Sequence, residues 1–446
     1  MSTLTAKRRA LQAEARRRRL FYWIAFGVVL ALLPMFSSNF GLTILTQICI
    51  AAVFALAYNM LLGQGGMLSF GHAVYFGLGG YFVMHLMNYI AEGWPIPVVL
   101  MPLFGGLFGL IFGVIIGSFS TRRAGTVFAM ISLGVAELVA GSALIIVSFF
   151  GGEEGVSANR TRGPEFFGYN LAQQIEVYYF AAFWFLVATY LMYRFSRTPA
   201  GRMANAVRDN PERAEFVGYS QRRVRFVSFV ASGFFAGLAG GIFAVQYEIV
   251  TEATVNLVAS GQVLLQAYIG GIGFFVGPIV GAIVLTLLST VVSGATELWL
   301  LYAGLIFVGT VLFVPQGLTG IIMMHAPAFR TGRLGQLGLP YLFAAIPLSA
   351  FLVGVIGLLE MISHTHRAGV GDTEMTLFNI ALDTHGWMPW LSFGALALAG
   401  AWGLRIAAPI VRAAWEKANA PIAPPTPDPA TPAANRAGTM NEQAAE

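Results

Sequence analysis

RTPAGRMANAVRDNPERAEFVGYSQRRVR, residues 197–225, is the one long charged stretch inside an otherwise apolar chain. From Arg194 to Arg225, 11 of 32 residues are charged, and both flanks return to Phe, Val, Leu, Ala and Gly. Its centre predicts a short helix with both ends marked. Asn210 is a good N-cap, and Pro211 sits where a missing N–H costs nothing. Glu212 falls in the first turn, where a negative charge favours the helix dipole. Gly218 can take the left-handed conformation that ends a helix. The helix, Pro211 to Val217, has about seven residues, too few to be stable alone in water. It needs a surface to press against. The plainer reading is a solvated loop whose charges orient the chain in a membrane.

Composition decides what lies on either side. The chain has 446 residues, of which 57% are hydrophobic and only 11% charged. Soluble domains carry about 25% charged residues. Disorder and an ordinary globular fold are therefore excluded, and the expectation is an all-α, polytopic membrane helix bundle. The net charge of +5 does not point to nucleic acid. Lys7 and Lys417 are the only lysines, and the arginines cluster at the ends of apolar runs, as orienting charges do. Cys49 is the single cysteine, so no intrachain disulfide can form.

A membrane-crossing helix needs about 20 apolar residues. Apolar runs of that kind fall near 20–37, 40–62, 67–90, 96–119, 125–149, 177–194, 225–247, 258–274, 277–293, 298–314, 341–359 and 389–408. That predicts about twelve spans, several interrupted by glycine. The basic segment 1–19 runs straight into the first of them with no small-residue cleavage site, so the N-terminus is expected in the cytoplasm and the first span uncleaved. Twelve spans then return the C-terminus to the same side. On this layout the cytoplasmic segments hold 22 Lys or Arg and the outer loops only Arg160, Arg162 and Arg367. Such a bias supports the orientation and places Arg197–Arg225 in the cytoplasm.

Two outer segments are long. Residues 150–176 carry Gly and Pro turn signals. Residues 360–388 hold His364, His366 and His385, with no helix or strand evident to fix them, so no metal site is expected. The tail, 411–446, is Ala/Pro-rich and reads as disordered. No soluble domain of useful size is present. Neither lysine is preceded by the glycines of a phosphate-binding loop, so this chain is not its own ATPase of that kind. No hydrolase elbow, zinc helix or nucleotide-binding glycine loop appears. The expectation is a non-enzyme with no catalytic residue and no cofactor of its own.

Three features could carry function. GQGGMLSFGHAVYFGLGG, Gly63 to Gly80, has seven glycines in eighteen residues, with Gln64, Ser69 and His72 among them. Small residues let helices approach closely. A broken helix with polar residues is also tolerated at membrane depth where it lines a cavity. Glu137 falls mid-span, where a charge costs roughly 2.5–3.5 kcal/mol and usually faces the bundle interior or water. It serves passage or gating, or a structural hydrogen bond to His72 or Asn59. GQVLLQAYIGGIGFFVGPIVG, Gly261 to Gly281, would break a helix at Gly270-Gly271. Interrupted segments in a transporter point to a central site, and Gln262 and Gln266 share one helix face. Gln64, Ser69, His72, Glu137, Gln262 and Gln266 are the candidate translocation path, with helix packing as the alternative.

GQGGMLSFGHAVYFGLGGY resembles the signature of LivM-type permeases of branched-chain amino acid ABC transporters. AGRMANAVRDNPERAEFVGYSQRRVRFVSFVASGFFAGLAGGIFA, GGIGFFVGPIVGAIV and FVPQGLTGI resemble later segments of the same family, in the same order. The resemblance covers about residues 40–322. It implies a bacterial inner-membrane subunit without ATPase chemistry. A homologous second permease, two cytoplasmic ATPases that bind the ATP, and a periplasmic substrate-binding protein would be its partners, alongside membrane lipid. It also implies that Asn210, Pro211, Glu212, Arg213, Ala214 and Gly218 form the ATPase-coupling loop. The general pattern is Glu-Ala-Ala, three residues, then Gly; Glu212, Ala214 and Gly218 match, and Arg213 replaces the middle Ala. Urea, short-amide and aromatic-acid permeases share these motifs, so the substrate stays open. A channel or ion-coupled transporter, with Glu137 and His72 as a proton relay, is the alternative of another class. Family members usually end near FVPQGLTG. The resemblance thus divides the chain into a permease domain, 20–322, and an additional region, 323–410, with two predicted spans.

Overall fold

The computed structural model describes residues 14, 17, 20–166, 168–367, 374–377 and 380–420. The chain divides into two units, Met1–Met323 and Met324–Glu446. In the first unit, α1 is Leu20–Phe36 and α2 is Asn39–Asn59, prolonged by a π-helical turn, Met60–Gln64. Then come α3 (Ala73–Ala91), α4 (Met101–Ser120), α5 (Thr126–Ile145) and the short α6 (Val147–Phe150). The charged stretch is framed by α7 (Gln174–Ser196) and α10 (Gln221–Tyr247), with α8 (Pro199–Asp209) and α9 (Pro211–Phe216) between them. Two short helices follow, α11 (Leu257–Gly270) and α12 (Gly277–Leu287), the second prolonged by a π turn, Leu288–Val292. The unit ends with α13 (Trp299–Phe313) and α14 (Gly317–Met324).

Glycine sets the packing at the centre. In α4, Gly105 and Gly109 lie against Gly237 and Gly233 of α10. Gly79 of α3 meets Gly237 as well, and Gly240 of α10 lies on the backbone of Phe76. A Cβ at Gly109 would come within 2.9 Å of the Gly237 Cα, so backbones occupy the space side chains would need. In a bilayer, where apolar side chains gain nothing by leaving lipid, such close approach is a main source of helix association. Most of α10 is buried, as are the later turns of α2.

The expected count of about twelve spans is not what the helices give. Helices form at all twelve apolar runs, but among the described residues seven are long and apolar enough to cross a membrane. The number rises to eight if the bent pair Trp299–Phe313 and Gly317–Arg330 is one broken span. Helix length is the physical reason. The 14 residues of α11 reach about 21 Å at 1.5 Å per residue, short of a hydrocarbon core of about 30 Å. Gly270 and Gly271 stop it early, and α12 folds back against it, with Gly281 facing the Gln266 carbonyl and Gly277 that of Gly271. The 19-residue α3 is diluted by Gly, Tyr, His85 and Asn88, and most of it is buried inside the protein.

The loop at 150–176 is not loose. Its strand β1 (Val156–Ser157) pairs antiparallel with β2 (Ile249–Val250). Arg160 donates to the carbonyls of Leu171 (2.8 Å) and Gln246 (2.9 Å), and its N–H donates to Glu248 (2.8 Å).

In the second unit, α15 (Ala326–Arg330) precedes α16 (Gly335–Arg367) and α17 (Trp387–Asn419), which pack antiparallel. Gly354 meets Ala397 and Gly400 meets Phe351. Two expectations are corrected here. The 360–388 segment has regular structure: α16 runs through His364 and His366 to Arg367, and β3 (Glu374–Leu377) pairs with β4 (Ile380–Asp383). Residues 411–419, expected as the start of a disordered tail, are the last turns of α17, where Ala, Glu and Lys favour helix. The rest of that tail, 421–446, and nearly all of 1–19 lie outside the described residues.

Candidate functional site

The charged loop is two helices. Thr198 caps α8 by accepting the Gly201 N–H at 3.3 Å, and Pro199 opens the first turn. Gly201, Ala204 and Val207, three apart, form its buried face. Asn210 then leaves helical geometry and caps α9, its Oδ1 accepting the Arg213 N–H at 2.9 Å. The cap and Glu212 sit as expected, while α9 is six residues long, ending at Phe216. Its exit is closed by Gly218 N–H donating to the Glu215 carbonyl (2.8 Å) and Tyr219 N–H to that of Ala214 (3.1 Å). Gly218 has φ +91°, a conformation that disfavours any side chain. Ala214 turns inward and is buried. Phe216 is 92% exposed and Val217 68% exposed, so a short polar helix presents two apolar side chains outward.

One residue ties this loop to the bundle. The Arg208 guanidinium donates to the carbonyl of Gly63, at the end of α2, and pairs with Asp209 at 2.9 Å. Its aliphatic stem lies over Gly66, where a Cβ would come within 2.7 Å of Arg208 Cγ. On its other side Gly63 faces the Asn59 side chain and the carbonyl of Ile272. Asn59 Nδ2 donates to the carbonyl of Phe274 at 3.5 Å. Gly271, at φ +111°, lies against Gln316 and Gly317. Three stretches distant in sequence, at Gly63–Gly66, Gly271–Phe274 and Gln316–Gly317, therefore converge at the arginine-rich end beside α8. Gln64 sits at this junction, its Oε1 buried without a hydrogen-bond partner.

Gln262 and Gln266 lie elsewhere, on the wall of a cavity of about 480 Å³ between α2, α10, α11 and α12. Gln47, Thr286, Ser289 and Thr290 add neutral polar groups, with Thr290 donating to Gln47 at 3.0 Å. Phe54, Phe76, Phe243 and Tyr247 supply the apolar wall. No Asp, Glu, Lys, Arg or His is among the lining residues. The volume falls in the range of small-molecule sites. Such walls can hydrogen-bond and shelter a small solute without offering it a counter-charge.

The remaining candidates do not all join this cavity. His72 is buried behind the wall, stacked on Phe54 with ring centroids 5.6 Å apart, its Nε2 3.3 Å from Ser232 Oγ. The Ser232 hydroxyl donates to the Ala57 carbonyl at 2.6 Å, which leaves its oxygen to accept from the His72 Nε2–H. Ser69 is held nearby, its carbonyl accepting the Tyr58 hydroxyl at 3.1 Å. Glu137 sits on the exposed face of α5 and makes no hydrogen bond to His72 or Asn59. The residues brought together are thus Gln262 and Gln266 at the cavity, Ser69 and His72 behind it, and Gln64 at the junction. Arg208 and Asn59 are additions. The three-residue spacing of Gly201, Ala204 and Val207 after Thr198-Pro199 is the sequence signal for α8, and Arg208 follows from it.

Residues 41–314 match the family model described as the branched-chain amino acid transport system / permease component. The chain is 26% identical over 331 residues to the high-affinity branched-chain amino acid transport system permease protein LivM of Escherichia coli strain K12, covering 69% of this chain and 76% of that one. The LivM protein of Salmonella typhimurium gives the same identity and coverage. The autoinducer 2 import system permease protein LsrC of Enterobacter sp. strain 638 is 32% identical over 146 residues, 31% of this chain and 42% of its own. No solved structure matches the chain. With its several membrane-spanning helices and a family match over more than half its length, the chain belongs to the LivM-type permease family of branched-chain amino acid ABC transporters.

Proposed function

We propose that this chain is a transmembrane permease subunit of an ABC importer in a bacterial inner membrane, with α9 as the point where a separate ATPase docks. The observation that carries the reading is α9 itself: a doubly closed helix with Phe216 and Val217 presented outward and Arg208 linking its neighbour α8 to the bundle. A six-residue helix has no independent stability. It is built here to be pressed on.

The eight arginines between Arg194 and Arg225 support a cytoplasmic position for this end, as do the basic run Lys7 to Arg19 for the N-terminus and Arg405, Arg412 and Lys417 for the C-terminus. ATP closes a pair of partner ATPases, α9 and α8 move with them, and Arg208 passes the movement to the glycine junction. Glycines at positive φ sit at that junction, where the chain bends without side-chain strain. The solute path runs through the cavity of Gln262 and Gln266, completed by a homologous second permease and fed by a soluble substrate-binding protein. ATP binds to the partners, and this chain needs no cofactor. The uncharged cavity suits a net-neutral solute with an apolar part, and a branched-chain amino acid is the first choice. A proton relay through Glu137 and His72 finds no support, since Glu137 lies on the exposed face of α5 while His72 is buried against Ser232.

The test is uptake by the double variant Glu212→Ala, Gly218→Pro in cells that supply the other subunits. Uptake is expected to vanish while the protein stays at normal abundance in the membrane. Normal uptake would sink the docking assignment. Leucine, urea and benzoate offered to the binding protein encoded beside this chain would separate the substrate classes.

A further inference from the structure

We propose that the groove between α1, α7 and α12 binds one anionic phospholipid, acyl chain inward and phosphate at the arginine-rich end. The groove measures about 280 Å³ and is walled by Trp23, Phe26, Thr189, Tyr193, Phe275 and Ile279. Its walls are almost wholly apolar, α7 is long and apolar enough to cross a membrane and α1 is a shorter apolar helix, so an acyl chain is the solute at hand.

The mouth is built for an anion. The Trp23 ring packs edge-on against Tyr190 (5.4 Å) and Tyr193 (5.7 Å), and Tyr193 packs on Phe275 (5.6 Å). The Arg197 guanidinium lies over the Tyr193 ring at 5.0 Å, and that of Arg194 over Tyr190 at 6.0 Å. Arg194 also donates to the Tyr190 hydroxyl at 3.3 Å. Neither arginine has an acidic partner among the described residues. An aromatic ring occupies the face of a guanidinium and leaves its in-plane N–H donors available, apart from the one Arg194 gives to Tyr190. Those donors match two phosphate oxygens in the bidentate way arginine favours. Arg197 lies over Tyr193, a wall of the groove, and Arg194 over Tyr190, one turn nearer the groove on the same helix as Thr189.

A third group points the same way. Thr189 lines the groove, is 3% exposed, and its hydroxyl has no hydrogen-bond partner. It lies five residues before Arg194, about 7.5 Å along the helix axis. That is the depth at which a phospholipid carries its ester carbonyls, either of which could accept from the hydroxyl.

Native mass spectrometry of the full-length, delipidated chain titrated with phosphatidylglycerol or phosphatidylethanolamine tests this. The expected result is one phosphatidylglycerol bound about tenfold or more tighter than phosphatidylethanolamine, a margin set by two arginines near the headgroup. Arg194→Gln with Arg197→Gln should erase that preference, and Thr189→Val should lower retention of both lipids alike. No preference in the unaltered chain would overturn the proposal without reference to any variant. So would a double variant that keeps its lipid preference but fails to co-purify with the second permease, since the groove would then be a subunit contact.

Discussion

The two polar regions of the first unit differ in kind. The cavity is lined by amides, hydroxyls and aromatic rings, with no charged side chain among its lining residues. The junction beside α8 has an arginine, an ion pair and glycines held at positive φ. On the proposed function, the first would admit a solute without gripping it. On the same reading, the second would receive a push and bend. A transporter that held charge in both would bind its cargo too tightly to release it, or waste the push on a rigid frame. The separation of the two chemistries supports a division of labour between passage and coupling.

The largest expected effect would break the frame both regions share. Gly237→Leu places a side chain where the backbones of Gly105 and Gly109 already lie. Overpacking of this kind costs about 3 kcal/mol, and backbone neighbours cannot repack around it. Thermal melting of the detergent-purified protein should fall sharply or show no folded state. A normal melt would mean α4 and α10 do not meet as described.

A smaller effect would sharpen the coupling half. Arg208→Gln removes a charged donor to a backbone carbonyl, worth about 1.5–3 kcal/mol, and leaves α9 intact. In proteoliposomes with all subunits, ATP hydrolysis should persist while solute moved per ATP falls by about tenfold. Arg208→Lys, which keeps the charge, should recover part of it. Equal loss of hydrolysis and uptake would make Arg208 a docking residue instead. At the cavity, Gln266→Ala deletes one neutral hydrogen-bonding group, worth about 1 kcal/mol. The half-saturating concentration for uptake should rise about fivefold with coupling unchanged. Glu137→Gln should have the least effect on uptake at any pH, since Glu137 belongs to neither region. A strong pH-dependent loss there would revive an ion-coupled mechanism.

Much of the charged loop at 197–225 was legible because it is local. Asn210, Pro211, Glu212 and Gly218 act within one turn of themselves, so residue type and spacing suffice. The helix α8 is harder to read because its Arg and Asn residues make it look like loop, although Thr198-Pro199 and the three-residue spacing of its small residues mark it. The span count is not confirmed at α11 and α12, where an apolar run is cut by glycines: hydropathy measures how apolar a run is, not whether the helix continues. The direction of Glu137 was illegible for a different reason. A span apolar on all sides has no pattern that says which face turns inward. The meeting of Gly63 with Ile272 joins residues more than 200 apart, and one sequence carries no local trace of it.

The most direct test of the central claim uses the burial of Cys49, which leaves the chain no accessible thiol among the described residues. A Phe216→Cys variant therefore carries one reactive group at the tip of α9, available to a short bifunctional crosslinker. With the ATPase subunits present, the account predicts a crosslink from position 216 to an ATPase, and none from Leu398→Cys on the exposed face of α17. A crosslink at Leu398→Cys and not at Phe216→Cys would contradict it.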